Sequence, residues 1–455
     1  MTTQTDIRAR VVPRWLVWAL AGGLALMLAA CNAPAADFLR PLVSGPAATF
    51  VAEGDRQAAA GRTAEAILAY RQAVERDGRY VPALRKLGHA YAGQGRRRLA
   101  QRYLQQAAAL RPDDREIAAE LAALQAAATA DGPLPRAWLA LADAGRPAGL
   151  ALGAGTLVAA LEEGRLVALD AVTAAPRWES RLPARATSAP TLAAGRVLVG
   201  AADGALYALQ ADDGRLLWRY QTSAPIYAAA LATPDAIYVA SGDGSFSALA
   251  PADGSLLWKI EAVGPLTGAP TLADGMLYFG AADGRIFGVE AATGREVWGS
   301  GIMAQGAVES QPTVAEGRVF VGAGDSRVYA LDAATGGEYW RYSTPDAVYA
   351  QPVVGGETVY VASAGKTLTA LDVLTGEPRW EWTAASALRH APALVGQTLY
   401  YTAAADPYLY AADARTGRPL WQFDTGDWLA AGPLVGDGLL YLLGQDGAVI
   451  ALRLP

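Results

Sequence analysis

Short apolar stretches separated by turn residues return at a nearly constant step along the last two-thirds of the chain. Within one such unit, the apolar runs Val197–Val199 and Leu206–Leu209 flank the turn dipeptide Asp203-Gly204. Asp-Gly between two apolar runs is a strong hairpin signal, because a two-residue turn of this kind needs positive φ angles. The pattern therefore predicts antiparallel strands joined by tight turns, with no helix in the repeated unit.

One tryptophan marks each repeated unit, and successive tryptophans are 40 to 42 residues apart. Four strands of five or six residues with short turns need about 40 residues, which is too long for a helical hairpin. The step therefore predicts eight four-stranded sheets and a structural role for the tryptophans. These residues are Trp138, Trp178, Trp218, Trp258, Trp298, Trp340, Trp380 and Trp421.

A second turn in each unit carries a family signature. Ala330-Leu331-Asp332 leads through Thr335-Gly336 to Trp340, and the same pattern returns between residues 370 and 380. Over roughly residues 135–455 the chain resembles the pyrroloquinoline-quinone-like propeller repeat, with its signature Ala-x-Asp-x-x-Thr-Gly-x-x-x-Trp. The resemblance implies a mainly β fold, an eight-bladed β-propeller, in which each indole docks between adjacent blades and its N–H finds a carbonyl partner. We interpret the repeated aspartates as side-chain caps of this turn.

The first and last repeated units are both incomplete, and a segment of the first could supply the strand that the last unit lacks. The unit that starts at Trp421 ends at Pro455, where its outermost strand should begin, and Trp138 has no turn signature before it. We expect the segment Arg136–Leu141 to supply the missing outer strand of the last blade. Closing the ring in this way removes exposed sheet edges, which would otherwise favour aggregation.

Residues 47–128 have an alanine-rich pattern with helical periodicity. Positions such as Leu84, Gly88, Tyr91 and Leu104 match the 34-residue tetratricopeptide repeat, a weaker copy precedes them, and residues 115–128 resemble a capping helix. Two repeats and a cap fall below the three that a free-standing solenoid needs, so this module is expected to pack on the propeller or on another protein. The alternative is a plain helical hairpin with a structural role only. We expect a linker at 129–135 and the propeller at 136–455.

The amino terminus reads as an export signal over residues 1–30. Three arginines precede an apolar run of 16 residues, from Trp15 to Ala30, which is somewhat short for the roughly 20 residues of a spanning helix. The run ends in Leu28, Ala29, Ala30 and Cys31, which resembles the bacterial lipobox. This resemblance implies acylation of Cys31, which would anchor the protein in membrane lipid through a tether at residues 31–46. The alternative is an uncleaved anchor helix.

The location follows from this signal. We expect an exported, lipid-anchored protein, on the periplasmic side of the outer membrane in a diderm bacterium or at the cell surface in a monoderm. Asn32 follows the cysteine, and the absence of Asp there weakly favours the outer membrane.

Composition excludes several kinds of site. The net charge is −6 without long charge runs, so nothing favours nucleic acid as a partner. Cys31 is the one cysteine, and His89 and His390 are the two histidines, so an intrachain disulfide and a Cys/His zinc cluster are impossible. The quinoprotein dehydrogenases of the propeller family bind quinone and calcium, but this chain lacks their vicinal cysteines and an acidic calcium loop. We therefore expect no cofactor, no metal and no catalytic residue.

Departures from the repeat identify candidate contact residues. Just before the innermost strands of four units stand large polar residues: Tyr227, Glu309, Tyr349 and Arg389, with His390 beside the last of them. These side chains are candidates for lining the mouth of the central funnel and contacting a partner. The alternative is that ring mouths are solvated and collect polar residues. The 42-residue step after Trp298 is expected to lengthen one loop on the same face, within Gly299–Val308, as a contact loop.

A lipoprotein with an eight-bladed propeller of this repeat resembles the BamB family of the outer-membrane-protein assembly machinery. That resemblance implies a scaffold without enzymatic activity that binds protein partners of the cell envelope through loops on one propeller face. This chain shows no match to that family's leucine- and arginine-bearing contact loop, and the helical module is not part of the family's usual plan. The alternative is a propeller that binds a small ligand or quinone in its funnel, as a sensor or dehydrogenase.

Overall fold

The computed structural model describes residues 47–128, 134–142, 144–262, 264–299 and 302–455. The predicted signal segment, Leu28 to Cys31 and the tether lie outside the described residues. Within the described part, no helix is both long and apolar enough to span a membrane.

Five helices precede the first strand in the described chain, as the sequence predicted for this segment. They are α1 (Ala47–Ala59), α2 (Thr63–Arg76), α3 (Val81–Gly93), α4 (Arg97–Leu110) and α5 (Arg115–Ala128). The chain divides into two compact units between Ala83 and Leu84, so α3 contributes to both.

Glycines allow close helix packing within each unit. In the first unit, a Cβ at Gly54 would lie 2.3 Å from the Tyr70 ring, and in the second unit a Cβ at Gly88 would lie 2.6 Å from the Leu104 side chain. Both glycines are therefore required for packing. Whether the helices are tetratricopeptide repeats stays a prediction.

All other regular structure in the described chain is β-strand. The first strand is β1 (Arg136–Ala140). Blade 1 contains β2 (Pro147–Gly153), β3 (Thr156–Leu161), β4 (Arg165–Asp170) and β5 (Pro176–Arg181). Blade 2 contains β6 (Thr191–Ala193), β7 (Arg196–Gly200), β8 (Ala205–Gln210) and β9 (Leu216–Gln221). Blade 3 contains β10 (Leu231–Ala232), β11 (Ile237–Ala240), β12 (Ser245–Leu249) and β13 (Leu256–Glu261). Blade 4 contains β14 (Thr271–Ala273), β15 (Met276–Gly280), β16 (Arg285–Glu290) and β17 (Ile302–Met303).

The remaining blades follow the same order. Blade 5 contains β18 (Thr313–Ala315), β19 (Arg318–Ala323), β20 (Arg327–Asp332) and β21 (Glu338–Ser343). Blade 6 contains β22 (Val353–Gly355), β23 (Thr358–Ala362), β24 (Thr367–Asp372) and β25 (Pro378–Thr383). Blade 7 contains β26 (Ala393–Val395), β27 (Thr398–Thr402), β28 (Tyr408–Asp413) and β29 (Pro419–Asp424). Blade 8 contains β30 (Leu434–Gly436), β31 (Leu439–Leu443) and β32 (Val449–Arg453), completed by β1.

The ring closes as the sequence predicted. Each of the eight sheets has four antiparallel strands, and the last has the order β1-β32-β31-β30. In that sheet β1 pairs with β32, from Arg136 opposite Leu452 to Ala140 opposite Val449. The first strands of blades 1 and 8, β2 and β30, are in contact. The prediction of an eight-bladed propeller preceded by a helical segment is confirmed.

The repeated tryptophans join neighbouring blades. Seven indoles donate Nε1–H to a backbone carbonyl of the next blade at 2.7 to 3.2 Å, as when Trp340 bonds the carbonyl of Val373. The glycine of the same turn lies against the ring, and a Cβ at Gly376 would be 2.5 Å from Trp340. Gly376 also has a φ of +73°, a conformation that glycine adopts without strain. Trp421 packs on Tyr400 at a centroid distance of 5.7 Å.

The prediction that the longer step after Trp298 lengthens a loop at the funnel mouth is wrong. In blade 4 the Trp298 amide bonds the Gly288 carbonyl and Ile302 pairs with Ile286, so the additional length lies between positions 298 and 302, before the connection to blade 5. An outer strand has one neighbouring strand in its blade, so an insertion there breaks one ladder only. Ser300 and Gly301 lie outside the described residues. The side chain of Met303 is exposed at the end of the interrupted strand.

Candidate protein-binding face of the propeller

One face of the ring is built from two kinds of loop, and we call it the loop face. Connections from the fourth strand of one blade to the first strand of the next bond to the turns between second and third strands. At blade 2, for example, the Thr187 amide donates to the Gly200 carbonyl and the Ala202 amide donates to the Arg185 carbonyl, both at 2.9 Å. Main-chain bonds therefore hold these loops in place and leave their side chains available for contacts.

The four large polar residues singled out from the sequence occupy equivalent positions on this face. Tyr227, Glu309 and Arg389 are exposed, and Tyr349 is half-buried. They precede the first strands of blades 3, 5, 7 and 6, respectively. Equivalent positions of adjacent blades meet, because the Arg389 guanidinium lies 5.4 Å from the centre of the Tyr349 ring. A cation above an aromatic face is attracted by the quadrupole of the ring.

The structure separates His390 from this exposed group. Its Nδ1 lies 3.2 Å from the Thr402 hydroxyl on β27. In blades 2 and 5 the equivalent position is a serine, as at Ser310, whose hydroxyl accepts from the Gly322 amide on the second strand. Burial lowers the pKa of His390 to about 4, with a further contribution from the charge of Arg389. The imidazole is therefore neutral at neutral pH and packs within its blade.

The turn aspartates on the opposite side of the ring act as caps. Asp332 accepts hydrogen bonds from the amide and hydroxyl of Thr335, at 2.7 and 2.8 Å, and from the Tyr339 hydroxyl. These bonds, led by the one from Tyr339, lower the pKa of Asp332 to about 2. The interpretation as turn caps is confirmed for this aspartate.

The described residues contain no cluster of metal-ligating side chains. Calcium prefers six to eight oxygen ligands, several from carboxylates. Among described residues, no three His, Cys, Asp or Glu side chains are gathered in a way that could hold a metal ion. Near the inner strands, hydroxyl and amide side chains bond neighbouring blades instead, as when Thr313 donates to the Pro352 carbonyl and Gln351 donates to Thr313.

Helix α4 packs on the loop face at blades 7 and 8. Three consecutive arginines at its amino-terminal end each meet a carboxylate of the propeller. Arg96 Nε lies 2.5 Å from Asp427 Oδ1, and Arg97 Nη1 lies 2.7 Å from Asp424 Oδ2. Arg98 binds Asp446 through two nitrogens, at 2.6 and 3.0 Å. The helical segment that begins at Leu84 therefore packs on the propeller, which was one of the two expected alternatives.

Main-chain and aromatic contacts fix the same junction. The Arg98 amide donates to the Gly426 carbonyl at 2.9 Å, and Trp428 Nε1 donates to the Gln94 carbonyl at 3.0 Å. The Arg96 guanidinium lies 5.0 Å from the centre of the Trp428 ring and 5.3 Å from that of Tyr91. A delocalised guanidinium suits a stacked and partly buried position of this kind.

Arg98 takes the place of a tyrosine donor that three other blades contain. In blades 2, 5 and 7 the aspartate of the turn between second and third strands accepts from a tyrosine four residues later, as from Tyr329 to Asp325 at 2.5 Å. In blade 8 the residue four positions after Asp446 is Ile450, which has no donor. The guanidinium of Arg98 reaches Asp446 Oδ2 instead. Blade 8 thus differs from blades 2, 5 and 7 at this turn, where α4 supplies the donor.

Charge explains why arginines can stand at this helix end. The amino terminus of a helix carries partial positive charge and favours acidic residues. The first turn of α4 has no acidic residue, and the carboxylates of Asp424, Asp427 and Asp446 supply the compensation. The side chain of Asp427 is 0% exposed. Burial raises the pKa of Asp427, and the Arg96 guanidinium opposes that rise.

Sequence reasoning missed this junction. The sequence shows the run Arg96–Arg98, and it shows Trp428 outside the 40-residue ladder. No local or periodic pattern pairs residues that are 331 positions apart. A tryptophan outside the 40-residue ladder, together with the missing tyrosine at Ile450, was the available signal.

Comparison with known proteins agrees with the architecture. The family model described as outer membrane protein assembly factor BamB matches residues 125–235, 225–301, 282–394 and 382–454. The comparison with curated proteins found no significant match. The crystal structure of BamB from Moraxella catarrhalis is 20% identical, with a TM-score of 0.63 over 71% of this chain and 98% of that chain.

Two other solved structures show how widely this fold is shared. A computationally designed protein, Ika8, is 20% identical, with a TM-score of 0.62 over 68% of this chain and 96% of that chain. The quinohemoprotein alcohol dehydrogenase from Comamonas testosteroni is 14% identical, with a TM-score of 0.60 over 71% of this chain and 77% of that chain. At such identities the likeness shows the fold alone. Because the family model matches well over half of the chain, the protein belongs to the family described as outer membrane protein assembly factor BamB.

Proposed function

We propose that this protein is a non-catalytic scaffold that holds protein partners in outer-membrane protein assembly. The observation that carries the proposal is the family match over residues 125–454. The loop face supports it, because blades 3, 5, 6 and 7 present Tyr227, Glu309, Tyr349 and Arg389 on loops fixed by main-chain bonds. Aromatic and arginine side chains on a rigid surface are the residue types that most often dominate protein interfaces.

The proposal includes an anchor at Cys31. Acylation of this residue would hold the protein at a membrane, on the periplasmic side of the outer membrane in a diderm bacterium. The lipobox sequence Leu28-Ala29-Ala30-Cys31 supports this step. A stable anchor needs two membrane-binding signals, and a diacylated cysteine supplies two chains.

Affinity purification tests the scaffold directly. The full chain, tagged after Pro455, is purified from detergent-solubilised membranes of its own host. We expect a stoichiometric envelope protein to co-purify and to be lost in the variant Tyr227→Ala/Arg389→Ala. The matched control is Tyr339→Ala, since Tyr339 and Tyr227 are each 51% exposed and Tyr339 lies on the outer strand β21. The proposal would be contradicted if the wild type recovered no envelope protein, or if Tyr227→Ala/Arg389→Ala and Tyr339→Ala recovered equal amounts of it.

Fractionation tests the anchor. We expect wild-type protein in the membrane fraction and Cys31→Ser in the soluble extracytoplasmic fraction or retained as an unprocessed precursor. Metabolic labelling with a fatty-acid analogue should label only the wild type. Label on the Cys31→Ser variant would rule out this lipid attachment.

The absence of catalysis is part of the proposal and has its own test. Purified protein with added quinone and calcium is assayed for dye-linked oxidation of alcohols and sugars. We expect no turnover above that of a heat-denatured sample. Robust oxidation that Glu309→Gln abolishes would replace the scaffold with a dehydrogenase.

A further inference from the structure

A groove of about 420 Å³ lies between blades 6 and 7, on the side of the ring opposite the loop face. Small-molecule sites have volumes of about 300–1,000 Å³ and place a few polar groups in a mostly apolar lining. Leu394 and Trp380 supply apolar surface here, and Tyr360, Gln397 and Arg415 supply polar groups. The groove therefore has the size and the kind of lining that a small molecule needs.

Short side chains leave this space open at blade 6. In blade 5 the first residue of the second strand is Arg318, whose guanidinium lies 4.4 Å from the centre of the Tyr339 ring. The equivalent residue of blade 6 is Thr358, which lines the groove. Gly356 and Gly396 also line it, and a Cβ at either position would meet no atom within 4 Å. A long side chain that extends over the surface of blade 5 is thus replaced by a short one in blade 6.

Tyr360 differs from the equivalent tyrosines of three other blades. In blades 3, 4 and 8 the tyrosine hydroxyl donates to a carbonyl of the next blade, the same carbonyl that accepts the indole N–H. Tyr278, for example, donates to the Ala333 carbonyl at 2.9 Å. Between blades 6 and 7, the Ala414 carbonyl accepts from Trp380 at 3.1 Å but makes no such bond with Tyr360.

The hydroxyl of Tyr360 is a buried donor beside the groove. The residue is 4% exposed and lines the groove. Burial raises the pKa of Tyr360, and a hydrogen bond from the Thr358 hydroxyl opposes that rise. Thr358 therefore donates to the tyrosine oxygen, and no described carbonyl or carboxylate accepts the tyrosine proton. A buried donor without an acceptor is unfavourable, so a bound acceptor would be stabilised here.

One cationic group of the groove is available to such an acceptor. Arg415 is exposed on the turn between β28 and β29, and it forms no salt bridge with a described carboxylate. Its neighbour Asp413 is bonded to the amide and hydroxyl of Thr416. Arg379 also lines the groove, but two carboxylates already hold its guanidinium. None of the described lining residues is acidic. The ligand contact is therefore assigned to Arg415 and not to Arg379.

We propose that this groove binds a small carboxylic acid with an apolar body. The carboxylate would accept from the Tyr360 hydroxyl and pair with Arg415, and hydrogen bonds to an ionised group are stronger than those between neutral groups. The Gln397 amide offers a further donor to the same carboxylate. The apolar body would lie against Leu394 and Trp380, where its burial is favourable. This site lies on the other side of the ring from the loop face, so it goes beyond the proposed scaffold function.

A ligand-observed NMR titration of the full purified chain tests the inference. The probe is naphthylacetate, and naphthylacetamide has the same apolar body without the charge. We expect saturable binding of the acid and binding of the amide that is weaker by about tenfold. Tyr360→Phe and Arg415→Gln should each weaken binding of the acid by about tenfold, because each removes one bond to the carboxylate.

Matched controls come from blade 7. Tyr400→Phe removes the equivalent hydroxyl of that blade, and Arg418→Gln removes an exposed arginine, and neither residue lines the groove. Both variants should bind the acid as the wild type does. The melting temperature of Tyr360→Phe should equal that of the wild type, since the lost hydroxyl donates to no described group. Tyr278→Phe should melt earlier, since it loses the bond to Ala333.

Four outcomes would overturn the inference. The acid could show no saturable binding, or the amide could bind as tightly as the acid. Tyr360→Phe could bind as the wild type does, or Tyr400→Phe could weaken binding as much as Tyr360→Phe does. None of these outcomes bears on the scaffold, whose test is recovery of an envelope protein through Tyr227 and Arg389 on the loop face.

Discussion

Two regions of the loop face use the same repeated framework in opposite ways. At blades 7 and 8 the charged side chains Asp424, Asp427 and Asp446 are taken up by the arginines of α4. At blades 3, 5 and 7, the side chains of Tyr227, Glu309 and Arg389 stay exposed. Polar side chains of this face can therefore serve internal docking or external contact, and burial separates the two roles. We call these the covered and the open region.

The largest effect is expected in the covered region, from Arg96→Ala. This change leaves the fully buried carboxylate of Asp427 without its guanidinium partner. Breaking a buried pair in this way costs about 3–5 kcal/mol. Denaturant unfolding and the rate of proteolysis near residues 94–98 measure the loss. The control is Arg177→Ala, which removes the exposed pair with Asp170 and should cost less than about 1 kcal/mol. Equal losses in the two variants would show that the covered region is not a docking site.

A rescue experiment sharpens the same comparison. Arg98→Ala removes a charged hydrogen bond from Asp446, at a cost of about 1.5–3 kcal/mol. Adding Ile450→Tyr to that variant should recover about 1 kcal/mol, because it restores the donor that Tyr329 provides to Asp325 in blade 5. In the wild type, Ile450→Tyr alone should destabilise, since Arg98 already occupies the site. Stabilisation by Ile450→Tyr in both backgrounds would contradict the account of blade 8.

The open region should respond differently. Arg389→Ala removes one exposed cation–π contact with Tyr349, worth about 0.5–1 kcal/mol at most. We expect the melting temperature to fall by only a few degrees while recovery of the envelope partner falls sharply. A loss of stability comparable to that of Arg96→Ala would assign Arg389 to the framework instead.

The smallest effect is the loss of stability at low pH. It should not distinguish the covered region from the open region, because it arises in the turns on the opposite side of the ring. The pKa of Asp332 and that of Asp372 are each lowered to about 2, chiefly by bonds from Tyr339 and Arg379. A lowered folded-state pKa gives stability that is present above the unfolded pKa of 3.8 and is lost as the pH falls towards 2. These side chains are partly exposed, so each should contribute only about a few tenths of a kcal/mol.

Melting temperatures between pH 6 and pH 2 measure this acid dependence. The variant Asp332→Asn keeps an acceptor for the turn but cannot titrate, so its melting temperature should fall less steeply below pH 4 than that of the wild type. A steeper fall would contradict the assignment of the lowered pKa to Asp332.

Most of the fold could be predicted from the sequence, because the signals that report on it are local or periodic. The 40-residue ladder, the Asp332–Thr335 turn and the incomplete ends near Trp138 and Trp421 each report on adjacent strands, so blade number and ring closure followed from them. The docking of Arg96, Arg97 and Arg98 was not predictable, because it pairs positions more than 300 residues apart through charge alone. The insertion after Trp298 was misplaced because counting residues between markers gives the length of a segment but not where it interrupts the ladder.

Site-specific photo-crosslinking in living cells tests the central claim, that the loop face holds a protein partner. A photoreactive phenylalanine analogue replaces Tyr227 on the open region or Tyr339 on the outer strand β21, two positions with the same 51% exposure. We expect a discrete adduct with one envelope protein from position 227 and none from position 339. No adduct at position 227, or the same adduct from both positions, would contradict the account.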